Sequence, residues 1–326
     1  MRFRATVENV DTFAKIVQSV EKLQKRCTIK FAEHEMRIIC TGDVNEGGIQ
    51  VWSQIKVSSL FTDYRIQSNS NNEITISMSS EALLAALRSA AASSASQNSS
   101  TSFTTDTQVT MKLAKKGDKS VLSLEITGLT PMARAMTVVQ HVVIDVVKHA
   151  DVERLKEPMC PEPDVHILLP SLAKLRTVVE RLRPLANDGV IFRANHNGEL
   201  QLAVNTDNAR VEVGWSGLTN PTMAKDPSSQ NTNAEDSDAK DPAEMHGVLV
   251  SHKCLLKFLN SHVVSTTTIA CTSDIVWETT LTFLRLNWSP GICENHCVIL
   301  YVYIGNVADA GGVLTYYIPA KFDDGI

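Results

Sequence analysis

The chain has 326 residues, 43% of them hydrophobic and 21% charged, with a formal net charge of −5 and a pI near 6.0. That length suits about two domains with sizeable cores, and the acidic balance excludes a uniformly basic coat while leaving room for a local basic surface. Seven cysteines, odd in number and mostly inside apolar runs, point to buried thiols in a reducing compartment and exclude a disulfide framework.

In chain order, Arg2, Arg4, Glu8 and Asp11 interrupt the N-terminus, which rules out a signal-peptide core. An amphipathic helix is predicted over Phe13–Gln24, with Phe13, Ile16, Val17, Val20 and Leu23 as its apolar stripe. Alternating segments at Cys27–Phe31, Met36–Cys40 and Ile49–Ile55 predict strands, and Gly47-Gly48 suits a hairpin turn between the last two. A second helix is expected over Ser79–Ala91, holding Leu83, Leu84 and Leu87 and starting on a serine suited to an N-cap. Ser93–Thr107 has ten Ser or Thr in fifteen residues and reads as a mobile loop. Strands are expected at Gln108–Ala114, Ser120–Thr127 and Ala135–Val146. Lys148–Pro163, charged and proline-bearing, reads as an extended linker.

Beyond the linker the order starts again. Leu172–Arg183 repeats the first helix 159 residues on, with five of twelve positions identical. Strands follow at Val190–Ala194, Leu200–Val204 and Val211–Trp215, and both third strands carry a Trp-Ser pair, Trp52-Ser53 and Trp215-Ser216. Ala224–Glu244, with six acids and two bases, reads as a second loop. Ser251–Val263 supplies a helix with Leu255, Leu256 and Leu259, again started by a serine. Thr266–Cys271, Cys297–Ile304 and Val313–Ile318 supply strands. The longest apolar run, Cys297–Ile304, is too short to span a bilayer, so a soluble intracellular protein without membrane contact is expected. The chain is thus a duplicated α+β unit, with domains at 1–147 and 164–326 and a connector at 148–163.

The repeat extends to charge. On the first helix Lys15 and Lys22 point away from the apolar stripe, and the second copy has Lys174 and Arg181 at the same places. Lys253 and Lys257 stand outward on the last helix. Any one of these suits an ordinary solvated face. The matched set suits contact with phosphates without base reading. No catalytic constellation stands out: Walker, nucleophile-elbow, H-E-x-x-H and dinucleotide fingerprints are missing. Cys293, His296 and Cys297 lack a second pair at zinc spacing, and Glu33, Glu35 and Asp43 are not spaced as metal ligands. A binding protein that uses no cofactor or metal is expected. Of four Ser/Thr-Gln dipeptides (Ser53, Ser96, Thr107, Ser229), Ser96 and Ser229 fall in the predicted loops, where a kinase could reach them.

Several long segments in order, Met1–Ala5 (MRFRA), Gly48–Gln54 (GIQVWSQ), Glu162–Pro170 (EPDVHILLP), Gly247–Leu259 (GVLVSHKCLLKFL) and Tyr316–Ala320 (YYIPA), resemble the Hus-type subunit of the nine-one-one checkpoint clamp, in its fungal forms, over nearly the whole chain. The resemblance implies a PCNA-like DNA clamp: two similar α+β domains, each with an antiparallel sheet and two helices, the helices lining a central channel. It implies a nuclear, non-catalytic subunit (with a cytoplasmic pool before assembly) that joins two Rad-type clamp subunits in a heterotrimeric ring. A clamp loader would place that ring on double-stranded DNA at damage sites, where it supports checkpoint kinase activators and recruits repair enzymes. Lys15, Lys22, Lys174, Arg181, Lys253 and Lys257 would then face DNA. The subunit edges would be Ala135, Met136, Val138 and Val139 on one side and Arg210, Val211, Val213 and Trp215 on the other. Tyr317, Ile318 and Pro319, within Tyr317–Phe322 beside the connector, would help form a partner-docking groove. The alternatives are a homotrimeric replication clamp and a metal-dependent repair nuclease. One stretch departs from the family: Thr272–Gly291 intervenes between two strands that otherwise turn almost directly into each other. It reads either as a packed extension or as a translated intron.

Overall fold

The computed structural model describes residues 1–42, 48–95, 107–129, 134–160, 163–221, 241–264, 268–272, 297–305 and 311–321. The first half runs β1 (Arg2–Val7), α1 (Val10–Glu21), β2 (Arg26–Phe31), β3 (Glu35–Cys40), β4 (Gln50–Lys56), the one-turn α2 (Val57–Leu60), β5 (Phe61–Gln67), β6 (Ile74–Ser79), α3 (Ser80–Ala95), β7 (Gln108–Lys116), β8 (Lys119–Leu129) and β9 (Ala135–Val146). The expected linker carries one exposed helical turn, α4 (His149–Val152), so it is not extended throughout. The second half runs β10 (Val165–Leu168), α5 (Leu172–Leu182), β11 (Gly189–Ala194), β12 (Leu200–Asn205), β13 (Arg210–Trp215), β14 (His246–Ser251), α6 (His252–Phe258) with a 3-10 extension (Leu259–Val263), β15 (Thr268–Thr272), β16 (Cys297–Ile304) and β17 (Gly312–Pro319).

Strand pairing displays the duplication directly. The order β1-β7-β8-β9 in the first half recurs as β10-β15-β16-β17 in the second, and β6-β2-β3-β4 recurs as β14-β11-β12-β13. Each half therefore holds two antiparallel groups of strands, which in the first half run on into one sheet through the pairing of β6 with β9. All the ladders are antiparallel, as hairpin-length connections allow. Strands β1, β5, β6, β10 and β14 are absent from the expected elements. β5 is mostly exposed, with Thr62, Asp63, Arg65 and Gln67 outward, so it carries little apolar periodicity to read.

The halves join through β17, which pairs antiparallel with β4 from Gly312 opposite Ile55 to Tyr317 opposite Gln50. The approach is close: a Cβ on Gly312 would lie 2.6 Å from the Gln54 carbonyl oxygen. The Gly311 carbonyl accepts from the Lys56 amide (2.8 Å) and from the Ser59 hydroxyl (3.1 Å). Beneath the joint Tyr316 is fully buried, edge-on to Phe258 of α6 at 5.2 Å, and its hydroxyl donates to Ser19 Oγ of α1 at 3.2 Å. One contiguous hydrophobic core, with Phe13, Phe31, Phe192 and Phe258 among its largest members, spans both halves.

The longer helices, α1, α3, α5 and α6, share one layer. α1 packs against α3 on one side and against the 3-10 extension of α6 on the other, and α5 completes the row against α6. Ser79 Oγ accepts from the Ala82 amide at 3.3 Å, as the expected cap at the start of α3. Ser251 makes no cap hydrogen bond and instead lies 3.5 Å from an Asp188 carboxylate oxygen. The helix α3 continues to Ala95, so the expected loop from Ser93 begins as helix. Thr272 ends β15, and the remainder of the Thr272–Gly291 stretch lies outside the described residues.

Candidate nucleic-acid interface and assembly edges

The exposed side of the helix layer is built from the polar stripes of its helices. On α1, burial of Phe13, Ala14, Ile16, Val17 and Val20 turns Lys15 outward, and Lys22 stands exposed just beyond the helix end. On α5, burial of Leu172, Leu175, Val179 and Leu182 leaves Lys174 and Arg181 exposed. Lys253 and Lys257 are exposed on α6. All six predicted cations are therefore solvent-facing on helices of one layer.

They are not equivalent. Lys22 and Lys257, one from each half, line a common depression with Arg176, Arg183 and Asn260. Lys22 also borders an adjoining groove with Glu81, Arg88, Arg176 and His262, between α1, α3, α5 and the 3-10 turn. Lys15, Lys174, Arg181 and Lys253 line neither. Three of the six have acidic neighbours: Lys15 pairs with Asp11 at 2.7 Å, Lys22 with Glu21 at 3.1 Å, and Lys253 lies 3.8 Å from Asp188. Such exposed pairs hold their cations loosely, so phosphates can displace the carboxylates at small cost.

Sequence reasoning missed Arg88, Arg176 and Arg183. Arg88 shares the exposed stripe Glu81, Ala85, Arg88 on α3, a spacing legible in the sequence, but it has no counterpart in the repeat. Arg176 is half-buried, donating to Glu180 at 2.9 Å and to Asn260 Oδ1 at 2.8 Å, which ties α5 to the start of the 3-10 turn. That tie is invisible until the helices are packed.

Of the strand edges that lack a ladder partner among the described residues, two lie where the repeat would continue the sheet. β13 closes the four-stranded group, and β9 pairs with β8 from Ala135 to Val143 while only its last residues meet β6. By the repeat these are the counterparts of β4 and β17, the two strands that join the halves of the chain. Ala135 and Val139 are exposed on β9, whereas Met136 and Val138 are half-buried against the core. Val143, 53% exposed on the same face as Val139, was not among the predicted edge residues. On β13, Arg210 is exposed, and Val211, Val213 and Trp215 rest half-buried against the core.

On the outer side of the joint a second apolar cluster holds Ile39, Trp52, Cys297, Ile299 and Tyr317, flanked by Leu155, Cys160, Tyr301 and Tyr303. The Tyr317 hydroxyl donates to Glu157 Oε1 at 2.8 Å, and the Cys160 and Cys297 sulfurs are 3.4 Å apart, so the connector is fastened over this cluster. Of the three predicted docking residues, Tyr317 faces the connector, Pro319 is half-buried, and Ile318 is fully buried in the main core. Alternation along β17 sends Ile318 inward, which corrects its assignment to a docking groove. Ser96 and Ser229 lie outside the described residues, as do Cys293 and His296. Glu35 is engaged with Arg37 at 2.7 Å.

The model of the Hus1-like protein family matches residues 1–321. The chain belongs to the Hus1-like family. It is 33% identical to Checkpoint protein hus1 of Schizosaccharomyces pombe over 99% of this chain and 100% of that one. It is also 28% identical to Checkpoint protein HUS1 of Homo sapiens, over 83% of this chain and 90% of that one. Among solved structures, Proliferating Cellular Nuclear Antigen from Entamoeba histolytica superposes with a TM-score of 0.63 over 98% of this chain and 99% of that one, at 14% identity. The Hus1-like chain thus has the α+β fold of the sliding clamps.

Proposed function

We propose that this Hus1-like chain is a non-catalytic subunit of a heterotrimeric checkpoint clamp that encircles duplex DNA at damage sites, supporting checkpoint signalling and recruiting repair enzymes. The observation that carries the reading is the pair of open edges, β9 and β13, each the repeat counterpart of a strand that joins the chain's own halves. Two such edges of opposite type on one subunit close a ring if neighbours supply the complements. The helix layer, with its cations, would then line the hole and hold phosphates without reading sequence. Lys22, Lys257, Arg88 and Arg183 are the best placed for this, because they gather where the two halves meet.

The partners are two Rad-type subunits, a clamp loader that opens the ring, and repair enzymes and kinase activators that dock on its outer side. The chain acts in the nucleus, with a cytoplasmic pool before assembly. Ser96 and Ser229 are proposed sites of phosphorylation.

Co-expression with Rad-type subunits followed by mass measurement tests the reading: one copy of each chain is expected. A stable homotrimer of this chain alone would instead assign it to replication clamps. Metal-dependent DNA cleavage abolished by a single acid substitution would make it a nuclease.

A further inference from the structure

The first strand carries an arrangement that neither the ring nor the helix layer uses. Along β1, Phe3, Ala5 and Val7 are buried, so Arg2, Arg4 and Thr6 face the other way. α1 lies on the buried side, where Phe13 meets Phe61 at 5.8 Å. The arginines are therefore separated from the helix layer by the thickness of the sheet.

Across the strands, Arg4 stands directly opposite Arg65 of β5 and directly opposite Lys112 of β7. Three cations thus lie in one row over three strands. Towards the hairpin end, Lys116 and Lys119 are also directly opposed. Like charges in directly opposed positions destabilise a sheet. Among the described residues only Lys112 is compensated, by Glu125 of β8. Arg2, Arg4 and Arg65 are exposed and make no ion pair or side-chain hydrogen bond among the described residues, although Asp63 lies nearby on β5. β5 is also the terminal strand of its sheet, so one edge of its backbone lacks a strand partner among the described residues.

We propose that this face docks an extended acidic peptide, which adds as a strand to the open edge of β5 and lays its carboxylates over Arg65 and Arg4. An added strand lies about 4.8 Å from β5, with same-side residues about 6.6 Å apart along it. Alternate acidic side chains would then meet Arg65 directly, and Arg4 one strand further in is within the reach of a long guanidinium. Arginine suits this role because its planar fork takes a carboxylate through two parallel hydrogen bonds. Main-chain pairing supplies affinity and the arginine row selects the acidic sequence. A peptide is favoured over nucleic acid because the row adjoins an unpaired strand edge and faces away from the helix layer.

The test uses the full chain and the double variant R4Q/R65Q. The probes are a fluorescein-labelled peptide of alternating glutamate and threonine, a lysine-threonine control, and a single-stranded oligonucleotide. Wild type is expected to bind the acidic peptide in preference to both others. The affinity should fall at least about tenfold in the variant and weaken with added salt. The variant's melting temperature should stay level or rise, because removing opposed cations relieves repulsion; this also guards against loss of binding through misfolding. Backbone N-methylation of the acidic peptide should abolish binding. Equal binding by wild type and variant, no preference for the acidic peptide, or binding that survives N-methylation would overturn the proposal. An oligonucleotide that binds best and is lost in the variant would reassign the face to nucleic acid.

Discussion

The bond between Tyr316 and Ser19 joins residues 297 positions apart and allows a sharp test of how the two halves are locked. Ser19 Oγ also donates to the Ile16 carbonyl at 2.7 Å, so it keeps a partner when the phenol is removed. Tyr316→Phe therefore loses one buried hydrogen bond without orphaning a group, and should destabilise the fold by about 0.5–1.5 kcal/mol. Ser19→Ala leaves the Tyr316 hydroxyl fully buried with nothing to bond, a penalty of about 1–3 kcal/mol, partly offset by about 0.5 kcal/mol from alanine's better helix propensity. The double variant S19A/Y316F should be no less stable than S19A alone, because the orphaned hydroxyl is gone. Tyr316→Ala, which empties a fully buried ring site against Phe258, should lose about 3–5 kcal/mol. Urea unfolding followed by tryptophan fluorescence reads all four, with Trp52 of β4 reporting from the joint itself. Additive losses from Ser19→Ala and Tyr316→Phe would refute the coupling, since independent sites add and bonded partners do not.

The remaining predictions concern the edges, the helix layer and alkaline stability. Val139→Asp with Val143→Asp changes residues 44% and 53% exposed, so the isolated chain should keep its stability to within about 0.5 kcal/mol while losing assembly in gel filtration with Rad-type subunits. K22A/K257A/R88A should weaken retention of the assembled ring on duplex DNA and flatten its salt dependence by up to about one unit of log–log slope per residue, whereas K15A/K174A/R181A should do less. Burial pushes the Cys27 thiol from its ordinary 9.0 up to about 12, and raises that of Cys40 well above the ordinary value. A raised folded-state value means that the contribution is fully present below pH 9 and is lost as pH climbs towards 12, where the unfolded chain ionises first. Cys27→Ala should therefore flatten stability against pH in that window, although it lowers stability at neutral pH through the cavity it leaves. An unchanged alkaline slope in urea titrations would count against this burial effect.

By itself the sequence determined the local elements and their repetition. Leu172–Arg183 was legible as a second copy of Phe13–Gln24 because a helix writes its buried stripe at fixed spacing, and the same rule set Lys15, Lys22, Lys174 and Arg181 outward. The three strands after each helix were equally plain, since alternation exposes every second residue. Tertiary structure alone decided which of those cations converge. Lys22 and Lys257 meet because α1 and the end of α6 pack across the joint, and Arg176 is recruited by Asn260, 84 residues away. It also decided that Ile318 belongs to the core and that β5, too polar to show a period, is a strand held by pairing with β1. The physical division is one of range: periodicity records each residue's inside and outside along its own element, whereas convergence depends on partners far along the chain, which no local pattern encodes.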